Sequence, residues 1–266
     1  MESSKQHAPA DTPSILSKAF DILRAFDSVH RIMTLSELAR ASGLPKSTVH
    51  RLLGRLVELD VIEPHGNAGY KIGLGMLRIG TVSPALSMRD SAMPYLGSLQ
   101  RWTGRTVHLW VLRQFEVVCL EKLDQAGVPP APGTVGARAP AHCTAAGKAL
   151  LAHEDLDDLA LFLPSPLPAA TVRSRTSVDA LVRELREVRG SGIAHEADEY
   201  RLGHSGIGAA IVVRGFAVGA ISIGYPSDDQ PAFKTVSALR EVVAALSRDL
   251  SEGLTPDRYR WIPGAD

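Results

Sequence analysis

Leu44-Pro45-Lys46-Ser47-Thr48-Val49-His50-Arg51-Leu52-Leu53-Gly54-Arg55-Leu56 is the stretch that decides how this chain is read. Val49, Leu52, Leu53 and Leu56 recur at three- and four-residue steps, which predicts a helix with one apolar face. Pro45 suits the first helical position, where a missing N–H costs nothing. Lys46, Ser47, Thr48, His50, Arg51 and Arg55 fall mostly off the apolar face and crowd the first half of the helix. All six can donate to phosphates or base edges. A recognition helix reads a DNA groove through its N-terminal residues, and its N-terminus also favours a phosphate.

The residues upstream complete the unit. Thr34-Leu35-Ser36-Glu37 has the form of a capping box, with Thr34 as cap and Glu37 at the third helical position. Leu35, Leu38 and Ala39 supply a short apolar stripe, and Gly43 suits the left-handed turn that stops a helix. A short capped helix, a glycine turn and a second helix opening on polar donors is the helix-turn-helix pattern. The competing reading is an ordinary helical hairpin with a solvated basic face. Downstream, Val61-Ile62-Glu63-Pro64 and Tyr70-Lys71-Ile72 flank a Gly/Asn-rich turn, which predicts a hairpin. Directly after a recognition helix, that hairpin reads as a wing, with Lys71 and the backbone near Gly66 facing phosphates. The alternative is a plain hairpin that only covers the core. Ser14 caps an expected first helix (Ile15, Ala19, Ile22, Leu23, Phe26) that closes the core from behind.

At 266 residues the chain has room for two domains. Lys plus Arg and Asp plus Glu are 29 each, so no global charge draws it to nucleic acid. From Leu44 to Asp60, Lys46, Arg51 and Arg55 stand against Glu58 and Asp60, so basicity concentrates at the helix start. Phosphate contacts dominate affinity for DNA. One copy of so mildly basic a module should bind weakly, which argues for a dimer or larger. Two cysteines make no disulfide framework. No apolar run reaches membrane-span length, and residues 1–13 read as a polar, disordered tail rather than a signal peptide. The expected location is the cytoplasm, with no membrane association.

Residues 14–79 are therefore expected to form the DNA-binding domain, 80–102 linker helices, 103–252 a second domain and 253–266 a tail. In the linker, Leu74 to Ile79 is helical, Pro84 interrupts, and Met88 to Trp102 carries Met93, Leu96 and Leu99 on one side. The second domain alternates strands and helices. Thr106–Leu112 and Val117–Leu123 suggest antiparallel neighbours. The Pro/Gly-rich stretch from Gly127 to Gly136 reads as a loop or an edge. A helix begins at Cys143 or Thr144, and Val178–Val188 is amphipathic and stopped by Gly190 or Gly192. Ile207–Val213 and Ala217–Ile223 read as strands joined at Arg214-Gly215-Phe216, and Val236–Leu250 as a closing helix. The fold class is α+β with a mainly antiparallel sheet.

Rival functions can be weighed on the residues. Cys143 beside His142 suggests a hydrolase or another small-molecule enzyme, but a nucleophile needs a base at hydrogen-bond distance and a third group to orient it. No third group is marked, so no enzymatic activity and no cofactor are expected. His108, His142 and Cys143 lack the spacing of a known metal site. A purely structural nucleoid protein would not need the second domain.

The chain resembles the bacterial transcription regulators named after the isocitrate lyase regulator, the IclR family, over nearly all of residues 14–252. The resemblance is carried by Leu35-Ser36-Glu37-Leu38-Ala39-Arg40, by Gly43 to Leu53 and by Tyr70-Lys71-Ile72-Gly73. In the second half it is carried by Ala139-Pro140-Ala141-His142-Cys143-Thr144-Ala145-Ala146-Gly147-Lys148-Ala149-Leu150. It implies a winged helix-turn-helix, a linker helix and a GAF-like effector domain. It also implies homodimers that pair into homotetramers, double-stranded operator DNA as partner, and control by a small carboxylic or aromatic acid. Repression of a catabolic operon is the expected role. The positions it implies for the effector are Cys143, Thr144, Ala145, Ala146, Glu196, Gly206, Ser222 and Gly224. Two physical points support it: N–H groups at a helix start near Thr144 would seat a carboxylate, and Ser222 offers a hydroxyl. Many members carry cysteine, proline and serine where this chain has Gly206, Ala210 and Gly224. Three small residues there point to a bulkier ligand.

Overall fold

The computed structural model describes residues 14–27, 29–124, 133–229, 231 and 233–253. The expected tail at 1–13, residues 254–266 and most of the Pro/Gly-rich stretch from Gly127 lie outside the described residues. The chain divides into two compact units, Met1–Ser83 and Pro84–Asp266.

In the first unit, Ser14 accepts the Ser17 N–H at 3.0 Å and opens α1 (Ile15–Arg24). α2 (Leu35–Ser42) starts on the capping box: Thr34 Oγ1 accepts from Glu37 N–H at 3.3 Å, and the Glu37 carboxylate accepts from Thr34 N–H at 2.8 Å. Gly43 ends it at φ 68°, the left-handed conformation expected there. α3 (Lys46–Glu58) begins one residue later than the sequence suggests. Pro45 is the cap and not the first helical residue: its ψ of 140° keeps it extended, while its carbonyl accepts the Val49 N–H at 3.0 Å. A cap residue needs only that carbonyl, so proline costs nothing here either. Ile22, Leu38, Val49, Leu52, Leu53, Leu56 and Ile62 form one buried core. β1 (Ile62–Pro64) and β2 (Tyr70–Ile72) pair antiparallel, and Met33 adds a bridge to Tyr70. A Cβ on Gly69 would lie 2.4 Å from the Met33 carbonyl oxygen, so this close approach needs glycine. α4 (Leu74–Gly80) follows.

The second unit is built on a six-stranded antiparallel sheet in the order β5-β4-β3-β8-β7-β6. Its strands are β3 (Thr106–Arg113), β4 (Glu116–Leu123), β5 (Arg138–Pro140), β6 (Ala194–Ala197), β7 (His204–Val213) and β8 (Phe216–Pro226). Arg214 and Gly215, at φ 51° and 89°, make the two-residue turn between β7 and β8, the positive-φ geometry that matches strand twist. One face carries Val107, Leu109, Ile207, Ala209, Ile211, Ile221 and Ile223 against α5 (Pro84–Thr103) and α9 (Phe233–Gly253). The other faces α6 (Ala145–Leu151) and α8 (Val178–Ser191), with α7 (Leu156–Phe162) beside α8. Gly192, at φ 73°, caps α8.

Pro84 opens α5 and does not interrupt a helix, the position where proline is tolerated. Met88, Ala92, Leu96 and Leu99 are buried with Leu239, Val243 and Leu246 of α9, and the Tyr95 hydroxyl donates to Asp249. The stretch read as a link is thus a core helix of the second unit, while Met93 is only partly buried.

Candidate functional site

The amphipathic pattern of α3 turns four apolar side chains inward and leaves Lys46, Ser47, His50, Arg51 and Arg55 exposed, with Thr48 half-buried. Arg55 is committed to Glu58 at 2.7 Å. On the wing, Lys71 pairs with Glu63 at 3.1 Å, and the Glu63 carboxylate also accepts the Leu74 N–H at 2.7 Å. Among the described residues, Lys46, His50 and Arg51 have no such partner. The donors free to meet a groove are therefore those of the first half of α3.

In the second unit, strand register decides which side chains share a face. Glu196, Gly206, Gly224 and Thr106 stand opposite one another across β6, β7, β8 and β3, forming one row. The next row on the same face is Ala194, Gly208, Ser222, His108 and Lys122. The first row is a trough floored by two glycines, with a carboxyl at one end and a hydroxyl at the other. Thr106 Oγ1 donates to Asp124 at 3.1 Å. Trp110 forms the wall: its ring stacks on His108 with centroids 5.3 Å apart, and its Nε1 donates to Ser222 Oγ at 2.9 Å.

α6 lies across this face. Thr144 caps it by accepting the Gly147 N–H at 3.1 Å, and a Cβ on Gly208 would come 2.6 Å from the Ala145 carbonyl carbon. Ala145 is the alanine next to the trough, 3.8 Å from where a Gly206 Cβ would sit. The Ala146 side chain belongs instead to the apolar core with Ala149 and Leu150. Glu196, Gly206, Gly224, Ser222 and Ala145 are thus brought together.

Glu196 is 6% exposed. Its Oε1 accepts from Tyr200 N–H at 3.3 Å, and its Oε2 lies 3.5 Å from the position a Gly206 Cβ would take. Burial, with Glu199 adding to it, pushes the Glu196 carboxyl up to about 7. Behind it lies a group the sequence did not announce. Lys148 of α6, 0% exposed, donates to Glu184 of α8 and to Glu199, each at 2.7 Å. Arg175 also pairs with Glu184. A charged residue in the middle of an otherwise small and apolar seven-residue helix was the available signal.

Cys143 is fully buried in the 3-10 turn Ala141–Cys143. Burial raises its thiol, which faces Ser174 and the Ala170 backbone. His142 is bonded through Nε2 to the Pro168 carbonyl at 2.8 Å. Neither residue serves the other as nucleophile or base. Among the described residues no group of His, Cys, Asp and Glu is placed to hold a metal, and no helix is long and apolar enough to cross a membrane. Two surface clefts are lined by residues other than those of the two rows. One of about 620 Å³ is lined by Arg175, Arg183, Glu184, Glu187, His195 and Arg240, and one of about 500 Å³ by Leu99, Trp102, Phe233 and Val242.

A winged helix-turn-helix unit joined to a sheet that bears a buried, part-polar trough defines a two-part transcription regulator. The chain belongs to the IclR family: residues 15–66 match the IclR helix-turn-helix domain, and residues 81–252 match the C-terminal domain of bacterial IclR regulators. It is 33% identical over 189 residues to the HTH-type transcriptional regulator TtgV of Pseudomonas putida, covering 70% of this chain and 71% of that one. It is 30% identical over 246 residues to the glycerol operon regulatory protein of Streptomyces coelicolor, covering 90% and 96%. The crystal structure of an IclR homolog from Microbacterium hydrocarbonoxydans, complexed with 4-hydroxybenzoate, matches with a TM-score of 0.76 at 26% identity. That match spans 90% of this chain and 100% of the other.

Proposed function

We propose that this regulator is a repressor of a catabolic operon, released from its operator by a small carboxylic or aromatic acid. The observation that carries the reading is the glycine-floored trough between Glu196 and Thr106, walled by Trp110 and covered by the start of α6. The relative complexed with 4-hydroxybenzoate supports an aromatic acid. Lys46, Ser47, Thr48, His50 and Arg51 enter the major groove, with Arg55 and Lys71 meeting phosphates at the margins. The protein acts as a homodimer that pairs into tetramers. Ile15, Leu16 and Phe20 of α1 and Leu74, Leu77 and Ile79 at α4 leave apolar surface exposed, which a second copy would cover.

The test is a thermal-shift screen of small organic acids, followed by operator binding with and without each hit. A ligand that binds only the native state raises the melting temperature by mass action. The expected result is at least one acid that raises it and weakens operator binding. Gly206→Leu, which fills the trough, should abolish both effects. A hit that still binds the Gly206→Leu protein with full affinity places the pocket elsewhere.

A further inference from the structure

The ion-pair cluster on Lys148, which lies beside Glu196, is balanced in charge. Lys148 and Arg175 supply two positive charges, and Glu184 and Glu199 supply two negative ones, all within direct ion-pair contact. Glu196 is the fifth member, with no cation of its own. Its only hydrogen-bond donor among the described residues is the Tyr200 N–H, and that bond goes to Oε1. Oε2 has no donor among the described residues and lies 3.5 Å from where a Gly206 Cβ would sit, a position also 3.8 Å from the Ala145 methyl. The charged and titratable groups around Glu196 come from every neighbouring element. Lys148 lies on α6, Glu199 and Asp198 on the turn after β6, and Tyr225 on β8 with Arg105, itself paired with Asp229, over its ring. Asp198 is itself held by Ser227 and the Gly203 N–H. Lys148 is shared by two carboxylates already and only partly offsets the burial of Glu196.

We propose that Glu196 meets the effector's carboxylate as a neutral acid, donating a hydrogen bond from Oε2, so that an anionic effector enters together with one proton. The inference rests on the acid-effector reading above. A buried carboxyl kept neutral so that it can donate is a known device for holding an anion. An ionised Glu196 would instead leave two carboxylates facing each other in a buried site, which charge repulsion opposes. At pH values where Glu196 is ionised in the free protein, binding must therefore take a proton from solution. The tightness of binding then depends on pH through this one residue.

The free protein provides a test that needs no ligand. The side-chain carboxyls of carbon-13-labelled protein are titrated by NMR, with Glu196→Gln used to assign the signal. One glutamate should titrate near neutrality and vanish in Glu196→Gln. If every glutamate titrates in the ordinary carboxylate range, the proposal is overturned. The second arm is calorimetry with 4-hydroxybenzoate and benzoate as probes, from pH 6 to 9, in buffers of different ionisation enthalpy. At pH 8 and above, the wild type should take up close to one proton per site and lose about tenfold in affinity per pH unit, the slope of a one-proton linkage. Glu196→Gln, which keeps a neutral donor, should take up none and bind with no such slope. Binding without proton uptake, or the same slope in Glu196→Gln, overturns the proposal but leaves the acid effector standing. No binding by either probe or by any acid of the screen overturns the acid effector itself, and this inference falls with it.

Discussion

Lys148 shows how far burial can depart from what a residue type suggests. Its ammonium lies among small side chains with no exposed surface and is held by Glu184 and Glu199. Removing one partner of a buried ion pair leaves the other charge uncompensated. Lys148→Met should therefore cost roughly 3–5 kcal/mol of stability, read from the urea midpoint. A change below about 1 kcal/mol would mean that water reaches the cluster. Glu196 gives a pH signature. Its folded-state value, about 7, lies above the ordinary 4.5, so the fold holds this proton longer than the unfolded chain does. The stability it contributes is complete below about 4.5 and is lost as pH rises through about 7. His204, lowered by burial to about 4, works in the opposite direction. Glu196→Gln should therefore flatten the decline of melting temperature between pH 4.5 and 7 relative to wild type, leaving the rising His204 contribution in place. On α3, Arg51→Ala should cost roughly 1–3 kcal/mol of operator affinity and relax one base position, if Arg51 reads a guanine. Lys46→Ala should weaken all sequences alike and flatten the salt dependence. Unchanged affinity in both would remove α3 from the groove. Residue identity alone exposed the α3 donors, because they sit beside an apolar stripe that fixes their direction. It did not expose Lys148, whose partners come from residues 36 and 51 positions away.

The elements that were legible are those whose ends are written locally. The Thr34–Glu37 capping box and the Gly43 stop stand where the sequence places them, and of the two glycines offered to stop α8 it is Gly192 that does so. Each needs only residues within one turn. α7 and β5 were not read, since seven and three residues carry too little periodicity to see. The rows of the sheet were also beyond sequence reading. Register is set by pairing between distant strands, and a one-residue slip would exchange the two faces. That is why the resemblance could name Glu196, Gly206, Ser222 and Gly224, while Thr106 and Trp110, and the place of His108 beside them, emerged only with the fold. Gly208 tests the seating of α6. A Cβ there would meet the Ala145 and Ala146 backbone at 2.6 to 2.8 Å. Gly208→Ala should therefore destabilise the second unit by roughly 1–3 kcal/mol, as overpacking does. A calorimetric melt that leaves this unit's transition unmoved would show that α6 can lift from the sheet at little cost.

For the whole molecule, a zero net charge offers no bulk attraction to DNA, so affinity has to come from local contacts such as those of α3. A two-fold dimer presents two copies of α3. The operator should be a near-palindrome with half-sites about 10 base pairs apart, or a multiple of that. A footprint covering a single asymmetric half-site would contradict the dimer. Effector and operator should also be linked by about 1–3 kcal/mol, and the linkage must run both ways. Saturating operator DNA should weaken effector affinity by the same factor that effector weakens operator affinity, measured by calorimetry on the same preparation.

α5 carries one more consequence. It starts at Pro84, the first residue of the second unit, and is anchored by Met88, Ala92, Leu96 and Leu99 to the helix and strands behind the trough. Twenty residues of helix make a rod about 30 Å long. Burial from Met88 to Leu99 leaves only the four residues from Pro84 outside the anchored stretch, about 6 Å of helix. The helix is therefore bound to move with the sheet it packs on, and substitutions at Ala92 or Leu96, which touch neither the α3 donors nor the trough, should change the response to effector.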